Sequence, residues 1–185
     1  EWKLIGNLGA DILVQVLHPL LGLEGAVRAT VIVTQGLGAL GLVLVSREVH
    51  GRITPFALAA IPLLYGFPFN YGFINYTLSM ALALLAYYFT LLKAGLARVK
   101  FKVPAPSHEG PEEYVRHVRA HLNTLEHLVL FLPGLWLFAY VVSPIWAAAI
   151  GAIWPPMRVL YALGYHKAAD KRRLPLYISM PPIYI

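Results

Sequence analysis

From Phe73 to Leu92 the chain carries no charged residue. A helix needs about 20 apolar residues to cross a bilayer, and within hydrocarbon every backbone N–H and C=O must find its partner inside the protein. The run therefore reads as a membrane-spanning helix, and it is not alone. Ala26 to Ser46 is interrupted only by Arg28, Gln35 and a few hydroxyl residues, and Ile145 to Tyr165 forms another candidate span carrying Pro155, Pro156 and Arg158. Pro111 to Val142 reads as one long helix. Glu112 and Glu113 favour its N-terminal dipole, and Leu128 to Val142, free of charge, enters the bilayer.

The remaining segments are less regular. Ile53 to Phe69 is apolar but short, and Pro55, Pro62 and Pro68 bend or break it. Residues 1–25, with Asp11, His18, Pro19 and Glu24, read as a re-entrant or interfacial helix or as a partial span. Leu174 to Ile185 has roughly half the residues a span requires. The composition agrees, with 58% hydrophobic and 13% charged residues where a soluble domain carries about 25% charged. The expected class is an all-α, multi-pass integral membrane bundle.

A formal charge of +6 could suggest nucleic acid. The cations instead sit in short connections: Arg47 and Arg52, then Lys93 to Lys102, then Lys167 to Arg173. Two crossings separate each connection from the next, so all three fall on one side, the cytoplasmic side by the positive-inside rule. That pattern excludes nucleic acid as the reason for the charge. The absence of cysteine excludes disulfides, thiolate metal sites and a cysteine nucleophile.

Two constellations stand where charge is expensive. Arg116, Arg119, Asn123 and Glu126, spaced three, four and three, share a helix face at the mouth of an apolar run. Arg158, Tyr161 and Tyr165 do the same on the next helix, with Lys171, Arg172 and Arg173 shortly beyond. Arginines alone read as snorkelling anchors, and tyrosines alone as an interfacial belt. An amide and a carboxylate on the same face favour a site. Guanidinium groups, a carboxylate, an amide and phenols together suit a small anionic, peptide-like ligand, with its carboxylates on arginine and its amine on Glu126. His117, His121 and His127 are spaced so that they do not converge as a metal site.

The stretch Gly110-Pro111-Glu112-Glu113-Tyr114 to Arg116, continued by Arg119-Ala120-His121-Leu122-Asn123-Thr124-Leu125-Glu126, resembles the second-helix signature of the MAPEG family. These are the membrane-associated proteins in eicosanoid and glutathione metabolism. Arg158-Val159-Leu160-Tyr161-Ala162-Leu163-Gly164-Tyr165 is similar to its third-helix motif, and Ala97-Arg98 with Val103-Pro104-Ala105-Pro106 resembles the end of its first helix and the following loop. The resemblance runs from about residue 76 to 175. It divides the chain into an N-terminal hydrophobic membrane region, 1–75, and a MAPEG-like domain, 76–185, whose last helix is short and contains Pro181-Pro182.

The resemblance implies a four-helix protomer, a homotrimer, and glutathione held between subunits at the cytoplasmic side as co-substrate for a lipophilic electrophile arriving from the bilayer. It implies that Arg119, Asn123 and Glu126 bind the tripeptide, with Arg116, Arg158 and the weaker match Arg98 in support. Tyr161 and Tyr165 would contact its backbone or thiol end, and Arg172 or Arg173 would stabilise the thiolate. His127 stands where several members have tyrosine, and the resemblance counts it among the glutathione-binding positions. The expected function is a membrane-bound glutathione transferase or peroxidase. The alternatives are a non-catalytic binding or scaffold protein on the same fold, and a polytopic transporter.

Overall fold

The structure is a computed structural model that describes residues 8–70 and 74–180; Pro181 and Pro182 lie outside them. The described residues are helical and connecting segments, without a strand. Helix α1 spans Leu8–His50, and Gly22 (φ +68°) divides it into segments 8–21 and 23–50. A positive φ costs a side chain but not glycine, so the break falls there. Helix α2 (Pro55–Ala60), a 3₁₀ turn (Ile61–Tyr65) and α3 (Phe67–Asn70) follow, then α4 (Ile74–Lys100), α5 (Glu112–Val141), α6 (Pro144–Lys167) and α7 (Arg173–Ser179).

Among the described residues, three helices are long and apolar enough to cross a bilayer: Gly9–His50, Ile74–Lys100 and Glu112–Val141. Helix α6 has the length, at 24 residues, but Pro155, Pro156 and Arg158 dilute its apolar run. Ser143 caps it by accepting the Trp146 N–H, and Pro144 supplies the fixed φ of a first helical position. Helix α4 continues past Leu92 to Lys100, because Lys93, Arg98 and Lys100 are good helix formers that leave the apolar zone without breaking the helix.

Segment 23–50 runs parallel to α4. Gly41 lies against Leu84, and Glu48, one to two turns later, lies against Gly95. Parallel neighbours need a return path, and the described residues 51–70 run along it. Ser46 Oγ accepts the Thr54 N–H at 3.1 Å, and Leu64 packs on Gly38, further back along α1. The prolines divide this return into short pieces: Pro55 opens α2 behind its Thr54 cap, and Pro62 opens the 3₁₀ turn. Segment 8–21 comes back to the start of α4, where the Ala10 N–H donates to Asn75 Oδ1 at 2.9 Å.

The three basic connections lie at one end of the bundle. Glu48 is beside Gly95, Lys100 pairs with Glu113 at 2.7 Å, and the His117 and His166 rings stack at 3.8 Å. Toward the other end, Ala83, Leu128, Phe131, Leu135, Ala147 and Trp154 form the core joining α4, α5 and α6, with Phe131 and Trp154 stacked at 4.3 Å. The outer surface is apolar: Phe56 is 86% and Leu20 82% exposed, with Leu130, Leu137, Tyr140 and Trp146 also exposed. Faces of this kind are lipid-facing in a spanning bundle.

The α1–α4 contact allows no side chain at Gly41, whose Cβ would stand 2.8 Å from the Leu84 Cβ. Gly41→Leu is therefore expected to force the helices apart and cost about 1–3 kcal/mol. Thermal unfolding in detergent measures this, and an unchanged midpoint would show that α1 docks more loosely than the contact implies.

Candidate functional site

At the basic end, α5, α6 and the start of α7 enclose a cavity of about 520 Å³. Helix α5 contributes Val115, Arg119, Leu122, Asn123 and Glu126, which recur at three- and four-residue spacing. Helix α6 contributes Tyr161 and Tyr165, and the chain beyond it Arg172 and Leu176. The apolar members Val115, Leu122 and Leu176 are not singled out by sequence chemistry. Val115 and Leu122 sit one turn either side of Arg119 on its own stripe, and that periodicity is the signal that could have found them.

Arg172 reaches this cavity through a tight turn. The Ala168 N–H donates to the Gly164 carbonyl at 3.1 Å, and the Lys171 N–H to the Ala168 carbonyl at 3.3 Å, folding the chain back under α6. The Lys171 carbonyl then lies against Gly164, which has no Cβ to obstruct it. The outcome is an Arg172 guanidinium 4.3 Å from the centre of the Tyr165 ring, with the Tyr161 ring 5.8 Å from that of Tyr165. Arg173, the next residue, is not among the residues lining this cavity; it lines a neighbouring one of about 390 Å³, to which Arg172, Asp170 and Tyr177 also contribute.

Other predicted residues lie elsewhere. Arg116 ion-pairs with Glu112 one turn back at 2.6 Å, so its charge is engaged at the helix start. Arg98 donates to the Pro104 and Ser107 carbonyls at 3.1 and 2.9 Å and lies over the Tyr114 ring, holding the 101–111 connection; it lines a separate cavity of about 210 Å³ with Glu48, His108 and His121. Arg158 is wholly buried behind the cavity wall, where it donates to Asn123 Oδ1 at 3.0 Å and to His127 Nδ1. His127 thus faces Arg158 and is not among the residues lining the large cavity.

The cavity places two guanidinium groups, one carboxylate, one amide and two phenols around a space that fits a tripeptide-sized molecule. Each type has a chemical use. Guanidinium forks pair with carboxylates or lie beside a thiolate, the carboxylate takes an ammonium group, and the amide and phenols fix orientation. A second space of about 450 Å³, lined by His108, Gly110, Val118 and others, shares Val115, Arg119 and Leu122 with the first. Among the described residues no group of three or more His, Asp or Glu could hold a metal ion.

An all-α membrane bundle with a cationic, polar cavity at its basic end is the class that fold and site define. Residues 76–183 match the family model of the MAPEG family. The chain belongs to the MAPEG family. Among its relatives, an uncharacterized protein of Synechocystis sp. is 48% identical over 92 residues, which are 50% of this chain and 67% of that protein. Mouse microsomal glutathione S-transferase 2 is 36% identical over 80 residues, 43% of this chain and 54% of the enzyme. Bovine leukotriene C4 synthase is 35% identical over 102 residues, 55% of this chain and 67% of the enzyme. The chain thus spans between about half and two thirds of the length of these relatives.

Proposed function

We propose that this chain is a membrane-bound glutathione transferase, which activates the glutathione thiolate for attack on lipophilic electrophiles. The observation that carries the reading is the convergence of Arg119, Asn123, Glu126, Tyr161, Tyr165 and Arg172 on one cavity. Relatives named as a glutathione S-transferase and a leukotriene C4 synthase support it.

Glutathione brings two carboxylates, an ammonium group and a thiol. Arg119 and Asn123 take a carboxylate, Glu126 takes the ammonium group, and Tyr161 and Tyr165 line the path to the sulfur. Arg172 lies beside the sulfur and favours its anion. A free thiol ionises near pH 8.5 and is a weak nucleophile until deprotonated, so an adjacent guanidinium raises the reactive fraction at neutral pH. The thiol gives its proton to solvent, and the sulfur lone pair forms a bond to the electrophilic carbon. The bond from that carbon to the displaced or ring-opened atom breaks with its electron pair going to that atom, which departs as halide or, when a ring opens, takes up a proton. The electrophile approaches from the lipid side along the apolar residues that flank the cavity. In this reading the basic end faces the cytoplasm, and the chain assembles as a homotrimer with glutathione near the subunit boundary.

The test is glutathione titration of the purified protein in detergent, following thiolate absorbance, with single-turnover conjugation of an aryl halide as second readout. Bound glutathione is expected to be thiolate at neutral pH. Arg119→Ala with Glu126→Ala removes two charge-assisted contacts worth about 1.5–3 kcal/mol each, so affinity is expected to fall by a hundredfold or more. Undiminished affinity in that double variant would overturn the site. Tight binding without thiolate or turnover would favour a non-catalytic binding protein.

A further inference from the structure

Arg158 is a buried cation without an anion. Its residue is fully buried, and among the described residues no ion pair reaches it. Its four close neighbours are neutral dipoles and aromatic faces. Nη1 donates to Asn123 Oδ1, Nη2 donates to His127 Nδ1, and its central carbon lies 5.3 Å from the ring centres of both Trp154 and Tyr161. Nε has no partner. A guanidinium in an apolar bundle is costly, and dipoles and rings solvate it without cancelling its charge.

Two of those neighbours, Asn123 and Tyr161, are walls of the large cavity. Arg158 is therefore one side chain away from a ligand there while lying outside the cavity itself. Its bond to Asn123 Oδ1 also fixes the orientation of the amide: the oxygen is committed to Arg158, and Nδ2 stands 3.3 Å from His127 Nε2.

We propose that Arg158 is the charge-setting and positioning residue of the cavity, a fixed cation behind its wall whose counter-charge arrives with the bound anion. His127 braces it from the side away from the ligand. The inference rests on the glutathione reading for the identity of the anion, and it assigns Arg158 no contact with the ligand. A unit charge at that remove shifts the ionisation or affinity of an anion by on the order of tenfold in a medium of intermediate effective dielectric.

The experiment compares the full chain in detergent with Arg158→Met, Arg158→Lys and His127→Glu. Glutathione affinity, the pH dependence of bound thiolate and the unfolding midpoint are read for each. His127→Glu is the decisive variant, because it sets a carboxylate against Arg158 without altering a cavity residue. It is expected to keep the unfolding midpoint, to weaken glutathione about tenfold and to move thiolate formation about one pH unit upward. Arg158→Met is expected to move both in the same direction, and Arg158→Lys to restore the thiolate profile. Glutathione diethyl ester, its carboxylates neutralised, is expected to lose less affinity than glutathione itself.

A lowered midpoint with an unchanged thiolate profile, or equal losses for acid and ester, would make Arg158 merely structural and overturn the inference while leaving the glutathione site standing. A parent protein that does not bind glutathione would overturn the site and this inference with it.

Discussion

Arg172→Ala is expected to lower the rate of conjugation at pH 7 by about 10²–10³, the loss typical of removing one preorganised donor from a developing or stabilised anion. Arg173→Ala is expected to stay within about twofold. The two arginines are adjacent in sequence, and on charge alone they are interchangeable. Their surroundings separate them: both line the neighbouring space with Asp170 and Tyr177, but Arg172 alone also lies over Tyr165 and lines the 520 Å³ cavity. The pH profile carries a second signature. Without the guanidinium the bound thiol returns toward its ordinary ionisation near pH 8.5, so thiolate is scarce at pH 7 and plentiful at pH 9. The Arg172→Ala defect should therefore shrink as pH rises, and Arg172→Lys should recover part of the rate at neutral pH. Single-turnover conjugation across that range measures both. An equal loss from Arg173→Ala, or a defect that ignores pH, would remove Arg172 from the thiolate.

Much of this site is legible as spacing. Arg119, Asn123 and Glu126 lie on one stripe, Tyr161 and Tyr165 lie one turn apart, and the structure brings both sets to one cavity. Spacing fixes which face a side chain occupies but not what stands opposite. Arg116 shares the stripe with Arg119, yet Glu112 one turn earlier captures it. Arg158 precedes Tyr161 by three residues, and that small rotation is enough to turn it toward Asn123 and His127 instead of the open space. The prolines of 55–68 announce a broken segment, as found, whereas the parallel course of segment 23–50 along α4 follows from glycine contacts between distant parts of the chain. The choice between Arg172 and Arg173 is illegible for a similar reason. It depends on how closely the turn after α6 folds back.

Gly164 controls that closeness, and Gly164→Ala is expected to disable the site while leaving the bundle folded. A Cβ at this position would stand 2.5 Å from the Lys171 carbonyl oxygen, 3.1 Å from its carbon and 3.6 Å from the Arg172 nitrogen. These are backbone atoms, so no side-chain rotation relieves the contact, and the 171–172 peptide must move. In most helices the same substitution is favourable by up to about 1 kcal/mol, because alanine is the better helix former. Here that gain opposes an overpacking cost of about 1–3 kcal/mol, and the unfolding midpoint should fall only modestly. Function has no such offset. A displacement near 1 Å is enough to cost about 10²-fold when a catalytic group must lie beside a reacting atom, and the group displaced is the Arg172 guanidinium. The variant should therefore reproduce the Arg172→Ala pH profile with the arginine still present, and glutathione affinity, which the proposed function assigns mainly to Arg119 and Glu126, should change much less than the rate. Rate and thiolate profile within twofold of the parent would mean that the turn relaxes without moving Arg172, and that the close approach at Gly164 serves packing alone.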